Sequence, residues 1–164
     1  MSLRSVLISN FEFFMPSIHI SVSRQTLTLH GPGPEERREY PVSTSRFGLG
    51  TEPGSFKTPP GRFEISKKIG DGAALGAVFK GRVPTGEAGG ASNSEDLVQT
   101  RILWLHGLDP ENANTRERYI YIHGTNHEEE IGRPASHGCI RMRNADVAEL
   151  YEIVAEGTPI FVHP

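Results

Sequence analysis

The chain has one cysteine, Cys139, in 164 residues. An intramolecular disulfide is therefore excluded, and cysteine usage reports nothing about an oxidising compartment. Lysine is also scarce: Lys57, Lys67, Lys68 and Lys80 are the whole set, and the rest of the 17 basic residues are arginine. Arginine suits bidentate recognition of carboxylates. No basic block stands out, and a net charge of -3 with a pI near 6.2 gives no global reason to bind nucleic acid or anionic lipid. Long apolar runs are missing too. The opening stretch "MSLRSVLISNFEFFM" is broken by Asn10 and Glu12, and no small-residue cleavage site follows. Neither a signal peptide nor a membrane span is expected. Residues 1–16 read as an N-terminal extension, its first residues in part an expression remnant, ahead of a single domain over 17–163 that is expected to be a monomer.

Short alternating runs fill most of that domain. "SIHISVSRQTLTLH" alternates on either side of "SRQ" and predicts a β-hairpin. "YPVSTSRFGLG", "GRFEISKKIG", "QTRILWLHG", "RERYIYIHG" and the closing "TPIFV" predict further strands. "TEPGSFKTPPG" reads as a connection, because its glycines and prolines do not sit inside a ladder. Gly70 to Ser94, rich in Gly, Ala and Ser, reads as mostly loop. One helix is predicted in "NADVAELYEIVAEG", with Val147, Leu150, Tyr151 and Val154 at i, i+3, i+4 and i+7, Asn144 as cap and Gly157 as stop. The fold class is mainly β, a sandwich or partly closed barrel with one C-terminal helix.

The chemistry concentrates in "YIHGTNHEEEIGRPASHGCIRMRN", which holds three of the seven histidines and the cysteine. His123, His127, His137 and Cys139 could in principle supply four zinc ligands. The spacing fits poorly: "HGTNH" contains Gly124 and Asn126 and follows a strand-like run, so the two histidines are not expected to share a helix face. A nucleophile reading asks for a base near the thiol. Alternation places His123 on the strand face opposite Ile120 and Ile122, and a loop returns the chain to Cys139. Gly138 lets its own N–H and that of Cys139 face a developing oxyanion. Arg141, on the side of Cys139 if the backbone is extended, could hold the thiolate or a substrate carboxylate. The plain alternative is that Cys139 is a small buried hydrophobe and His123 a satisfied polar group.

"HGTNHEEEIGRPASHGCIRM" closely resembles the signature of the L,D-transpeptidase catalytic-domain family: a histidine in HGT, about a dozen residues, then SHGC followed by an apolar residue and Arg or Asn. "KTPPGRFEI" resembles the family's TPxGxF segment, "ISVSRQTLTL" its opening hairpin and "GTPIFV" its closing strand. The resemblance implies the family's largely β fold. It implies Cys139 as nucleophile, His123 as the base that forms a thiolate–imidazolium pair, and Gly124 as the residue whose carbonyl orients that imidazole. His137 is implied as a supporting residue, with Ser136 and Gly138 completing SHGC and Arg141 at the basic position after it. The implied reaction is acyl transfer on peptidoglycan stem peptides, with no metal or organic cofactor, no nucleic-acid partner, acylation by carbapenems, and a periplasmic or cell-envelope location set by the substrate. Two other outcomes stay open: the same site working as an L,D-carboxypeptidase or hydrolase, and a non-catalytic wall-binding or zinc-stabilised module.

Outside the signature the expectations are plain ones. Glu128, Glu129 and Glu130 read as a solvated loop, Trp104 as core, and "TEPGSFKTPPG" as a connection or a flap. Arg82 and Arg101 are candidates for gripping substrate carboxylates, with no position assigned.

Overall fold

Where apolar and polar residues alternate, the chain pairs. The computed structural model describes residues 15–33 and 35–164, so the N-terminal extension falls almost wholly outside the described residues. Strands β1 (Ser17–Ser21) and β2 (Thr26–His30) form the expected hairpin, with Ile18 opposite Leu29 and Ile20 opposite Leu27. One face of this pair is apolar, and it turns inward. β3 (Arg37–Ser43) extends the hairpin, and β4 (Gly61–Ile69) follows the Pro/Gly segment.

The later strands are β5 (Ala77–Lys80), β6 (Val83–Ala88), β7 (Val98–Gly107), β8 (Tyr121–Thr125), β9 (Ile140–Met142) and β10 (Pro159–His163). The sheet order is β4-β10-β1-β2-β3-β9-β8-β7-β5-β6, and β4 also pairs with β7. That extra pairing closes eight strands into a barrel-like ring, leaving β5 and β6 as a hairpin outside it. Two neighbours run parallel, β1 with β10 and β8 with β9. Closure leaves no free edge along the ring. Its interior is filled by Ile18, Ile20, Leu27, Phe63, Leu105, Ile122, Ile140 and Ile160, each at or near zero exposure.

Helix α1 (Asn144–Ile153) buries Val147, Leu150 and Tyr151, the face its periodicity predicts, against β7 and β8. Its ends differ from expectation. The side chain of Asn144 does not cap; it bonds to Gln99, Thr100 and Thr125, while Glu128 Oε1 accepts the Asn144 N–H at 2.8 Å. A carboxylate at that place also favours the positive end of the helix. The helix ends at Ile153, and Gly157 lies beyond it in a turn that donates to Ile65 O. The stretch Gly70–Ser94 is not mostly loop, since it carries β5 and β6. All of β6 is exposed, so no hydrophobic period marks it in the sequence. "RERYIYIHG" gives a strand only from Tyr121, because Tyr119 takes a φ of +56° that ends any extended run.

Candidate active site

β8 and β9 are the two halves of the signature brought side by side. Ile122 pairs with Ile140 and His123 with Arg141. The isoleucines enter the barrel interior, so His123 and Arg141 share the opposite face. One step back in the same register, Cys139 meets Tyr121, whose backbone N–H donates to Sγ at 3.3 Å. The thiol in turn donates to Tyr119 O at 3.4 Å. Cys139, His123 and Arg141 thus lie along one face of one strand pair, as alternation in the sequence requires.

The turn before β9 is tightly fastened. Gly138 has a φ of +123°, and a Cβ there would sit 3.3 Å from Lys57 O and 3.5 Å from Phe56 O. Glycine is the residue that tolerates both. Ser136 is buried; its Oγ donates to Cys139 O at 2.6 Å and accepts the Gly138 N–H at 3.2 Å. Thr58 Oγ1 donates to Gly138 O at 2.9 Å and accepts the Ser45 N–H. The threonine of "KTPPG" is therefore a strut under the cysteine turn, which gives that segment a physical purpose.

His123 is 2% exposed, and its Nδ1 lies 2.5 Å from the carbonyl oxygen of Gly124. Donation to that carbonyl puts the proton on Nδ1 and leaves Nε2 as the free acceptor. Burial pushes the imidazole below the ordinary histidine value; Asp96 and the Gly124 carbonyl act against this, and Arg141 acts with it. Burial pushes the Cys139 thiol up to about 12, with Asp96 in the same sense and the Tyr121 N–H, Arg141 and Arg118 opposing. Both shifts favour the uncharged forms at neutral pH.

Arg141 is 2% exposed and paired with Glu130 at 3.0 Å and Asp96 at 3.5 Å. A guanidinium so enclosed reaches Cys139 and His123 through its charge. Glu128 and Glu129 are exposed, as a solvated run should be, yet the three carboxylates are not idle: Glu130 is partly buried and holds Arg141, Glu128 holds the start of α1, and Glu129 lies 3.3 Å from His127 Nδ1. The four candidate zinc ligands are divided among three places. His123 and Cys139 share the strand pair, His127 bonds to Glu95 O at 2.9 Å, and His137 is exposed against Phe47 and Phe56. Among the described residues, the three potential ligands that do converge are His127, Glu129 and Glu130.

Two aromatic groups form around the cysteine turn, and Cys139 packs against the one that holds Tyr121 and Trp104. Phe47 and Phe56, about half exposed, cluster with His137, and Trp104 clusters with Tyr119 and Tyr121. Trp104 is only partly buried, and Arg82 and Arg116 lie over its ring at 4.6 and 4.8 Å. The segment between Gly50 and Lys57 is tied down by Arg118, which donates to the carbonyls of both residues. Arg118 and Asp96 were not marked by the sequence pattern, and Thr58 only as part of "KTPPG", because each acts across 45 or more residues on backbone or charge that carries no local signal.

A family model for the L,D-transpeptidase catalytic domain matches residues 16–162. The chain belongs to the L,D-transpeptidase catalytic-domain family. A putative L,D-transpeptidase of Bacillus subtilis, YkuD, is 52% identical over 146 residues, covering 89% of this chain and 65% of the relative. The Bacillus licheniformis protein of that name is 54% identical over 48 residues, 29% of each chain. Among solved structures, an L,D-transpeptidase from Mycobacterium smegmatis matches with a TM-score of 0.57 at 21% identity, over 92% of this chain and 59% of that one. An L,D-transpeptidase solved in complex with imipenem matches with a TM-score of 0.56, over 91% of this chain and 59% of that one. The fold is the shared feature at that identity. The chain thus spans less than two thirds of the length of these relatives.

Within this transpeptidase-family site Gly124 is the tightest backbone position. A Cβ on it would meet Asn144 Oδ1 at 2.1 Å and the backbone oxygen of Gln99 at 2.7 Å. Gly124→Ala is expected to cost about 1–3 kcal/mol in urea unfolding through overpacking. It should also slow covalent labelling of Cys139 about tenfold to a hundredfold, because the carbonyl that fixes His123 must move.

Proposed function

We propose that the chain is the catalytic domain of a cysteine acyltransferase of peptidoglycan. Cys139 Sγ attacks the carbonyl joining the L-centre of the stem's third-position diamino acid to the terminal D-alanine. The thiol proton passes to His123 Nε2 and then to the departing amine, so that D-alanine leaves whole and a thioester remains. An acceptor amine of a second stem attacks the thioester, gives its proton to His123 and restores the thiol, forming a 3-to-3 cross-link. Because the substrate is cell-wall material, the place of action is the periplasm or cell envelope. No helix of the described residues is long and apolar enough to cross a membrane.

The observation that carries this reading is the placement of Cys139 and His123 on one face of the β8–β9 pair, with Nδ1 of His123 occupied by Gly124 O. The uncharged resting forms of both groups suit a general-base route. The imidazole is unprotonated and able to accept, and the thiol keeps its proton until a carbonyl carbon arrives. At rest the thiol points to Tyr119 O, so binding must turn it toward Nε2. For the oxyanion, the backbone N–H of Cys139 is one donor in this reading. The Gly138 N–H joins it by leaving its long bond to Ser136 Oγ. His137, with Phe47 and Phe56, would wall one side of the substrate channel.

Intact-protein mass spectrometry after incubation with a carbapenem tests the nucleophile. One adduct on wild type and none on Cys139→Ser is the expected result; adducts of equal yield on both would refute it. Incubation with a tetrapeptide muropeptide then separates the acceptors, since an amine gives a cross-linked dimer and water a free tripeptide.

A further inference from the structure

Arg82 occupies a backbone position that an arginine does not favour. Lys80 ends β5, Val83 begins β6, and the two residues between, Gly81 and Arg82, have φ of +54° and +65°. A two-residue hairpin loop with both φ positive fits a type I′ turn, where glycine or asparagine is preferred and most other residues cost about 1–2 kcal/mol. Such a cost persists where the surroundings hold the side chain for a purpose.

What holds it is an aromatic platform. The guanidinium carbon stands 4.6 Å from the centroid of Trp104 and 5.0 Å from that of Tyr119, and Nη1 donates to the Tyr121 hydroxyl at 3.0 Å. Arg24, Arg37, Arg38, Arg62 and Arg141 all pair with carboxylates. Arg82 pairs with none among the described residues. One of its five N–H groups is spent on Tyr121, and the rest of the planar fork has no acidic partner.

The platform also fixes its distance from the chemistry. Tyr121 donates its N–H to Cys139 Sγ, and Tyr119 takes the thiol proton on its carbonyl. The guanidinium is therefore held one tyrosine side chain away from the sulfur. Arg101, the other candidate from sequence, is 8% exposed and directs Nη1 to the carbonyls of Ala73 and Thr100. It has no reach into the site.

We infer that Arg82 is a carboxylate receptor, and that it takes the free α-carboxylate of the D-amino acid leaving the stem. The assignment rests on the acyl-transfer reading for the identity of the donor. In that donor the terminal carboxylate is separated from the scissile carbon by only the amide nitrogen and one Cα. This short reach matches a cation set one tyrosine from Sγ. A carboxylate on the diamino acid's own side chain is at the end of a flexible chain and would not be positioned with the same economy. Arg82 thereby makes the site select a stem that ends at its fourth residue, and disfavours one that is extended or amidated there.

The test uses Cys139→Ala, which cannot turn over, and calorimetry with a synthetic tetrapeptide stem as the free acid and as the C-terminal carboxamide. The acid is expected to bind about tenfold to a hundredfold more tightly than the carboxamide, the range for a charge-assisted hydrogen-bonded pair. Adding Arg82→Gly should erase that preference through the acid alone. Glycine suits the turn, so loss of folding does not confuse the result. Arg82→Lys should restore part of the preference, because it keeps the charge without the fork. Equal binding of acid and carboxamide, no binding of either, or a preference that survives Arg82→Gly would each overturn the role of Arg82. Wild-type product analysis judges the acyl-transfer reading separately. Cross-linked product with no acid preference removes only the role of Arg82, whereas an Arg82-dependent preference without product or carbapenem adduct upholds the receptor and removes the acyl transfer.

Discussion

His123→Ala is expected to slow carbapenem acylation of Cys139 by about a hundredfold to ten-thousandfold, the usual contribution of a positioned general base. The size follows from what the thiol is left with. Burial holds it up to about 12, so the fraction present as thiolate at neutral pH is small without a base to accept the proton. The pH profile adds a second check. Because the folded imidazole titrates below the ordinary 6.5, it stays neutral and able to accept at pH values where an exposed histidine would be charged. The wild-type rate should therefore fall only as pH drops below 6.5. In His123→Ala that acidic limb should vanish, and the rate should climb with pH toward the thiol's own titration. Time-resolved mass spectrometry of the adduct measures both. A variant as fast as wild type, with the same acidic limb, would place the base elsewhere.

Much of this was legible in the sequence because period-2 alternation and side-chain face are the same fact. Ile120 and Ile122 against Tyr121 and His123 specify which side chains enter the barrel, and the structure places them so. The β1–β2 hairpin and the buried stripe of α1 were readable for the same reason. Ring closure was not. The pairing of β4 with β7 joins Phe63 to Gly107 and leaves no mark in either strand that names its partner. The β5–β6 hairpin was hidden because its outer strand is wholly exposed and its register shifts between Ala77 and Phe79. Within the site, alternation sufficed to put His123 and Cys139 on the face opposite the isoleucines, and the Gly124 carbonyl lies against the His123 ring where the family resemblance implies it. Asp96 was missed because its partner Arg141 lies 45 residues away, and Glu130 because three adjacent glutamates read as a solvated run.

That hidden cluster yields the largest expected loss of stability. Arg141→Met keeps much of the apolar stem but removes a cation that is 2% exposed, leaving Asp96 and Glu130 facing each other without it. Breaking a buried pair from one side costs about 3–5 kcal/mol. The two carboxylates keep 27% and 28% of their side-chain surface, so the lower end, about 3 kcal/mol in urea unfolding, is expected here. Adding Glu130→Gln should recover part of the loss, because the uncompensated charge and not the missing contact is its main source. The same substitution separates two roles for Arg141. Its charge helps to hold His123 below the ordinary histidine value, with burial as the larger cause. Without it the imidazole titrates higher, and the acidic limb of acylation should move to higher pH while the Km for a tetrapeptide donor stays within about twofold. An arginine that gripped the donor's carboxylate would give the reverse, a raised Km with the limb unmoved. The pairing with Asp96 and Glu130 makes the first outcome the expected one, and leaves Arg82 as the proposed receptor for the donor's carboxylate.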